Sequence, residues 1–276
     1  MSLLVFCVIL FSAGLHAVWN AIVKGGSDTL LTTVLVAASG ALVGLIALPF
    51  LPPIAPEAWR YLAITAVLEI AYYALVAAAY RNADMSRAYP LMRGTPPLLV
   101  ALVSSLFLGA ALSLTGWLGV ALVSAGLLSL TLGGTKGDSR GVAFAMVNAL
   151  VIASYTLVDS FGVRASGSPA AYTMWIFVLT GVPLAAWALL RRPGFIPYAH
   201  RNWHLGLMGG LGTLISYGLV LWSMTMAPVA LVAALRETSI LFGTIIAVLV
   251  LKERVTRTRL IAVLIIAAGA AVLKLA

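Results

Sequence analysis

Residues 59–80, WRYLAITAVLEIAYYALVAAAY, are long enough to cross a lipid bilayer and carry Glu69 near their centre. About 20 apolar residues span the hydrocarbon, and a charge at the bilayer centre costs roughly 2.5 kcal/mol or far more. A chain keeps such a group where it faces a water-filled cavity, pairs with another charge, or holds a polar ligand. Residues 59–80 therefore read as one wall of a polar path. Outward from them the pattern recurs, giving spans 1 to 10 at 3–23, 29–51, 59–80, 88–109, 115–133, 140–162, 168–190, 203–226, 229–251 and 256–275. His16, Arg93, Asp159, Arg236 and Glu237 join Glu69 as ionisable groups inside these spans. Barrel strands alternate over about ten residues, so runs this long are helices. The expected fold is all-α and integral to the membrane, with ten transmembrane helices.

Composition excludes the competing classes. Apolar residues make up 62% of the chain and charged residues only 9%, against about 25% charged in soluble domains. The mean hydropathy is +1.09. Nothing is left over for a soluble domain. The start, MSLLVFCVIL, lacks a basic segment before its apolar run, and so reads as a retained first helix rather than a cleaved leader. Cys7 is alone and forms no internal disulfide. The net charge of +9 follows from topology rather than from nucleic acid, which is not an expected partner. Loops after odd-numbered spans hold twelve Lys and Arg residues, and loops after even-numbered spans hold only Arg60 and Arg164. That bias places the odd loops in the cytoplasm, with a bacterial-type inner membrane as the expected location.

An internal repeat divides the spans. Tyr73-Ala-Leu-Val aligns with Tyr217-Gly-Leu-Val at an offset of 144 residues, which sets Arg93 against Glu237 and Gly109 against Glu253. The linker Gly133-Gly134-Thr135-Lys136-Gly137-Asp138-Ser139 separates a first unit, 1–134, from a second, 135–276. Five spans per unit is odd, so the second unit enters the membrane from the opposite side. Inverted repeats of this kind are typical of secondary transporters, with the site near the midplane where the halves meet.

Ten spans in a five-plus-five arrangement resemble the EamA-type transporters of the drug/metabolite transporter superfamily. The ending Leu251-Lys252-Glu253-Arg254-Val255-Thr256, followed by an apolar span with Gly269, is similar to that family's second-repeat ending. The first-half equivalent, Leu108-Gly109-Ala110-Ala111-Leu112-Ser113, lacks the Glu. Leu15-His16-Ala17-Val18-Trp19-Asn20 and Ala153-Ser154-Tyr155-Thr156-Leu157-Val158-Asp159 resemble a subset of these proteins. The resemblance implies export or exchange of small metabolites across the cytoplasmic membrane, without naming the substrate.

Side chains three or four apart share a helix face, and that spacing assembles the candidate site. Span 1 offers His16, Trp19 and Asn20; span 3 offers Glu69, Tyr72 and Tyr73; span 6 offers Tyr155 and Asp159. Span 4 brings Tyr89 and Arg93, span 8 brings Tyr217, and span 9 brings the adjacent Arg236 and Glu237. Neighbours on a helix point about 100° apart, so one of that last pair is expected to face the cavity. Arg93 or Arg236 would hold a carboxylate and Glu69 or Glu237 an ammonium, with the tyrosines and Trp19 as walls. The bland counterpart is a buried ion pair, Glu69 with Arg93 or Arg236, that sets helix register. Pro90, Pro96 and Pro97 remove backbone donors around Arg93 and suggest a hinge in span 4.

The expected activity is secondary transport of a small polar or zwitterionic metabolite, an amino acid or related amino compound favoured. His16, Asp159 or a glutamate would carry protons if transport is proton-coupled. Membrane lipids are the other expected contact. A membrane-embedded enzyme using Glu69 or Asp159, and a translocator of lipid-linked substrates, are the alternatives. No cofactor is expected. His200 and His204 are four apart in a loop before span 8, without the Glu of a zinc-hydrolase motif, and no metal site is expected.

Overall fold

The computed structural model describes residues 1–133, 139–249, 252 and 256–276. Among the described residues all regular structure is helical, and ten stretches are long and apolar enough to span a bilayer. The first half comprises α1 (Leu3–Gly25), α2 (Thr29–Ala47), α3 (Trp59–Asn82), α4 (Met85–Phe107) and α5 (Leu114–Ser129). The second comprises α6 (Ser139–Ala165), α7 (Pro169–Arg191), α8 (Phe195–Met226), α9 (Val229–Arg236), α10 (Ser239–Leu249) and α11 (Arg257–Leu275). Together α9 and α10 fill span 9, and α11 is span 10. Residues 134–138 of the linker, and Leu251, Glu253, Arg254 and Val255 of the closing segment, lie outside the described residues. Short polar caps start several helices: the side chains of Ser2, Asp28, Ser113, Ser168 and Thr256 each accept a first-turn backbone N–H. These caps satisfy donors that have no partner within the helix.

Two expectations about the spans need correction. Span 8 starts at Phe195, not at 203, and its helix runs on through a kink at Asn202 (φ −118°, ψ 19°). His200 and His204 therefore sit on a helix, either side of the kink, rather than in a loop. Residues 195–202 are too polar to register as a span, yet Tyr198 ties them to the start of α2 through its hydroxyl, 2.6 Å from Thr32 Oγ1. Span 9 is not one helix. It breaks after Arg236, where the backbone bonds from Glu237, Thr238, Ile240 and Leu241 all reach back three residues rather than four. By contrast α4 continues as one helix through Pro90, Pro96 and Pro97. The interruption expected around Arg93 falls instead at its counterpart in the other half.

Helix packing follows a two-fold relation between the halves. Counterparts meet directly, α2 on α7 and α5 on α11, while the packing of α3 on α6 is matched by that of α8 on α1. Without a hydrophobic drive between helices in lipid, small residues permit this closeness. At the α5–α11 crossing a Cβ on Gly126 would come within 3.0 Å of the Ala262 carbonyl oxygen, and one on Gly269 within 2.9 Å of the Val123 nitrogen. Backbone meets backbone there.

Burial is uneven along the membrane normal. At one end Leu62, Val163, Tyr172, Ile176, Leu221 and Met224 pack with Leu231, Val232 and Leu235 into one continuous core. Every residue from Val229 to Leu235 is buried. Towards the other end, which carries the loops after odd-numbered spans, α3 buries only Ala79 beyond Thr65 and α10 only Thr244 and Ala247 beyond Ser239. The basic end is packed as well, in smaller clusters: Ala79, Ala88, Met92 and Ala145 join α3, α4 and α6, and Ala188 and Phe195 pack with Val34 and Leu35 of α2. The opposite end is the more continuously sealed.

Candidate functional site

The break in span 9 positions the charges. Arg236 closes α9 and Glu237 precedes α10, so each sits at a helix end of opposite partial charge. The tight turn between the two helices also lets both side chains line one central void with Arg93, Thr156 and Met224. The 100° separation expected of neighbours on a regular helix does not apply, because the helix is not regular there. The void is about the size of one water molecule.

Arg93 and Glu237, counterparts in the repeat, meet: Arg93 Nε lies 2.9 Å from Glu237 Oε2, and both side chains are buried. The ion pair therefore joins Arg93 to Glu237 and not Glu69 to either arginine. Its alignment is imperfect, since Arg93 Nε and Nη2 lack a hydrogen bond of good geometry. Tyr89, one turn earlier on α4, lies beside the guanidinium.

Asp159 is wholly buried and takes its bonds from hydroxyls. Thr65 Oγ1 donates to Oδ1 at 2.6 Å, Tyr172 to Oδ1 at 3.1 Å and Tyr217 to Oδ2 at 2.5 Å. Thr65 and Tyr172 were missed from sequence. A signal for Thr65 existed, since it stands one helical turn before Glu69 on the same face. Tyr172 looked like any interface tyrosine.

Arg236 stacks on the Tyr217 ring, with its guanidinium carbon 5.1 Å from the ring centroid. Among the described residues it has no ion-pair or hydrogen-bond partner, and neither has Glu69. The two are near enough to influence each other electrostatically but do not touch. Around Glu69 the aromatic wall is continuous: the Tyr72 ring packs edge-on against Tyr73 at 5.2 Å and against Tyr155 at 6.2 Å. Glu69 and Tyr72 are half-buried and Tyr73 is 36% exposed.

The span 1 residues form a smaller group of their own. Trp19 Nε1 donates to His16 Nδ1 at 3.2 Å, with the rings edge to face. This leaves His16 Nε2 as the nitrogen free to bond elsewhere. Asn20 is exposed and donates to the His16 carbonyl of its own helix at 2.7 Å. The structure thus brings Glu69, Tyr72, Tyr73, Arg93, Tyr155, Asp159, Tyr217, Arg236 and Glu237 around one centre, with His16 near enough to Arg93 and Arg236 to feel their charge, and leaves Asn20 exposed. Among the described residues no group of three or more His, Cys, Asp or Glu side chains is placed to hold a metal ion.

The chain resembles a solved structure described only as the crystal structure of a protein. The likeness covers 99% of this chain and 96% of that one, with a TM-score of 0.73 at 20% identity, and it shows the fold. No curated protein matches the sequence. The model of the EamA-like transporter family matches twice, over residues 1–132 and 139–275, which is one match to each half. With both halves matched, the chain belongs to the EamA-like transporter family.

Proposed function

We propose that this membrane protein is a secondary transporter that moves a small zwitterionic metabolite, an amino acid or related amino compound, by alternating access. One observation carries the reading: an arginine and a glutamate with no ion-pair partner among the described residues, Arg236 and Glu69, stand near enough to act on each other electrostatically, beside the rings of Tyr72, Tyr73, Tyr155 and Tyr217. Electrostatic attraction is strong in low dielectric, so a ligand bearing both signs would satisfy both groups. A carboxylate on the Arg236 guanidinium and an ammonium on Glu69 complete both. Arg93 and Glu237 are already paired, so they shape the floor of the site, and Arg93 Nη2 remains open for a further acceptor. Tyr72, Tyr73, Tyr155 and Tyr217 supply ring faces for the ammonium and hydroxyls for polar atoms. His16 and Trp19 stand at the approach.

With the basic loops on the cytoplasmic side of an inner membrane, the more continuously packed end near Asp159 would face outward, and substrate would load from the cytoplasm for export or exchange. The α9–α10 break is the hinge this motion needs, because its three-back bonds leave the two halves of span 9 free to tilt separately.

Thermal stability of the purified protein against amino acids, organic cations, organic phosphates and lipids tests the reading. Ligand at a hundredfold excess over its Kd stabilises by about 2.7 kcal/mol. A zwitterionic amino acid should raise the melting temperature, and Arg236→Ala and Glu69→Gln should each abolish the rise in protein that still folds. A rise with lipids alone, or one indifferent to both substitutions, refutes it.

A further inference from the structure

Asp159 neighbours Glu69 and Arg236 but bonds to neither. Among the described residues no cation pairs with it. Its bonds come from Thr65 on α3, Tyr172 on α7 and Tyr217 on α8, so four helices from both halves meet at one carboxylate. The other charged or titratable groups that face it are Glu69, one turn along α3, and Arg236 on α9, which stacks on the Tyr217 ring. Tyr155 stands one turn earlier on α6. Arg93 and Glu237 are occupied with each other.

The identity of the donors matters. Backbone, amide, ammonium and guanidinium N–H groups only donate, so a cage built of them suits an anion alone. Every donor here is a hydroxyl, which donates to a carboxylate and, by turning its hydrogen, accepts from a carboxylic acid. The cage therefore satisfies Asp159 in both protonation states. A carboxylate meant only to stay charged needs no such freedom, and a buried one normally has a cation beside it.

We infer that Asp159 is a proton-binding site separate from the substrate site. A proton from water passes Glu69, the half-buried acid one turn from Thr65, and forms an O–H bond on an Asp159 oxygen; the reverse step returns it to water. Hydrogen bonds to an ionised group are roughly twice as strong as neutral ones. The charged form therefore clasps α3, α7 and α8 to α6 at the sealed end, and the neutral form, with one hydroxyl turned round, holds them less firmly. Proton uptake at Asp159 loosens that seal.

Infrared spectra of the purified protein in lipid vesicles, recorded without substrate as pH is lowered, test this directly. A carboxylic-acid carbonyl band should appear that is missing in Asp159→Asn and retained in Glu69→Gln and Glu237→Gln. Tyr217→Phe keeps Asp159 but removes one donor, and should move the band's frequency; this variant decides the matter if Asp159→Asn does not fold. The inference fails if no acid band appears while the protein stays folded. It also fails if the band survives in Asp159→Asn, vanishes in Glu69→Gln, or is unmoved in Tyr217→Phe. None of these spectra requires transport, so failure here leaves the substrate reading standing, and the reverse also holds.

Discussion

Removing one partner of the Arg93–Glu237 pair should be far more costly than removing both. Their side chains are 9% and 8% exposed and lie 2.9 Å apart. Arg93→Met leaves the Glu237 carboxylate buried with no cation in contact, and Glu237→Leu leaves the guanidinium likewise. Losing one member of a buried pair costs about 3–5 kcal/mol, whereas replacing both by apolar groups is neutral or even stabilising. The imperfect alignment at Arg93 Nε and Nη2 places each single variant near the lower end, about 3 kcal/mol. The double variant should fall within about 1 kcal/mol of the unaltered protein. The cycle then closes with a coupling of several kcal/mol, well beyond the roughly 0.5 kcal/mol by which independent sites depart from additivity. Reversible unfolding in mixed micelles, followed by the fluorescence of the seven tryptophans, measures all four corners. Additive single effects, or singles costing less than about 1 kcal/mol, would show that water or another group already satisfies both charges, and would refute the energetic role given to the pair.

Three further substitutions test the fold. Gly269→Val drives a branched side chain into the Val123 nitrogen and the Gly119 oxygen of α5, and overpacking of this kind costs about 1–3 kcal/mol; α5 and α11 should separate, seen as lost cross-linking between cysteines placed on the two helices. Arg164→Met removes the donations from Nη2 to the Met224 and Ala227 carbonyls at the end of α8, each hydrogen bond to a charged group being worth about 1.5–3 kcal/mol; amide hydrogen exchange should quicken at residues 224–227 and stay unchanged in α2. Asp28→Ala removes the cap on Leu31 N and should lower stability by about 0.5–2 kcal/mol without altering ligand-induced stabilisation, which makes it the control for the site variants.

Much of the architecture was legible because membrane helices advertise themselves. Hydropathy located ten spans, since each must bury about 20 residues in lipid. It misplaced the start of α8 because the polar stretch with His200, Arg201 and Asn202 stays helical at the membrane surface, where hydropathy has nothing to detect. It missed the break between Arg236 and Ser239 for the opposite reason. Apolar residues flank the break on both sides, and only the backbone bonds change. Intramembrane charge picked out groups that the fold brings together, but not their internal pairing. The 144-residue offset set Arg93 against Glu237 as equivalents, and equivalents related by a two-fold axis touch only where they lie close to that axis. That distance is a property of packing, invisible along the chain. Thr65 and Tyr172 escaped because one hydroxyl in an apolar helix is usually bonded to its own backbone, and here both reach Asp159 instead.

The central charges are held with unequal firmness, and that inequality is what gives the site its chemistry. Glu237 has Arg93, and Asp159 has its hydroxyl cage. Arg236 has only the face of Tyr217, worth about 0.5–2 kcal/mol, and its place at the C-terminal end of α9, worth about 0.3–2 kcal/mol. Their sum is comparable to the lower figure of roughly 2.5 kcal/mol for a charge at the bilayer centre. Arg236 can therefore stay ionised without a carboxylate, yet nothing holds it strongly enough to resist one. A ligand carboxylate that draws the guanidinium off the Tyr217 ring disturbs the residue whose hydroxyl donates to Asp159 Oδ2. On the proposed reading, ligand at Arg236 and proton at Asp159 would act on the two ends of a single side chain, and any effect of one on the affinity for the other would be reciprocal and equal in factor.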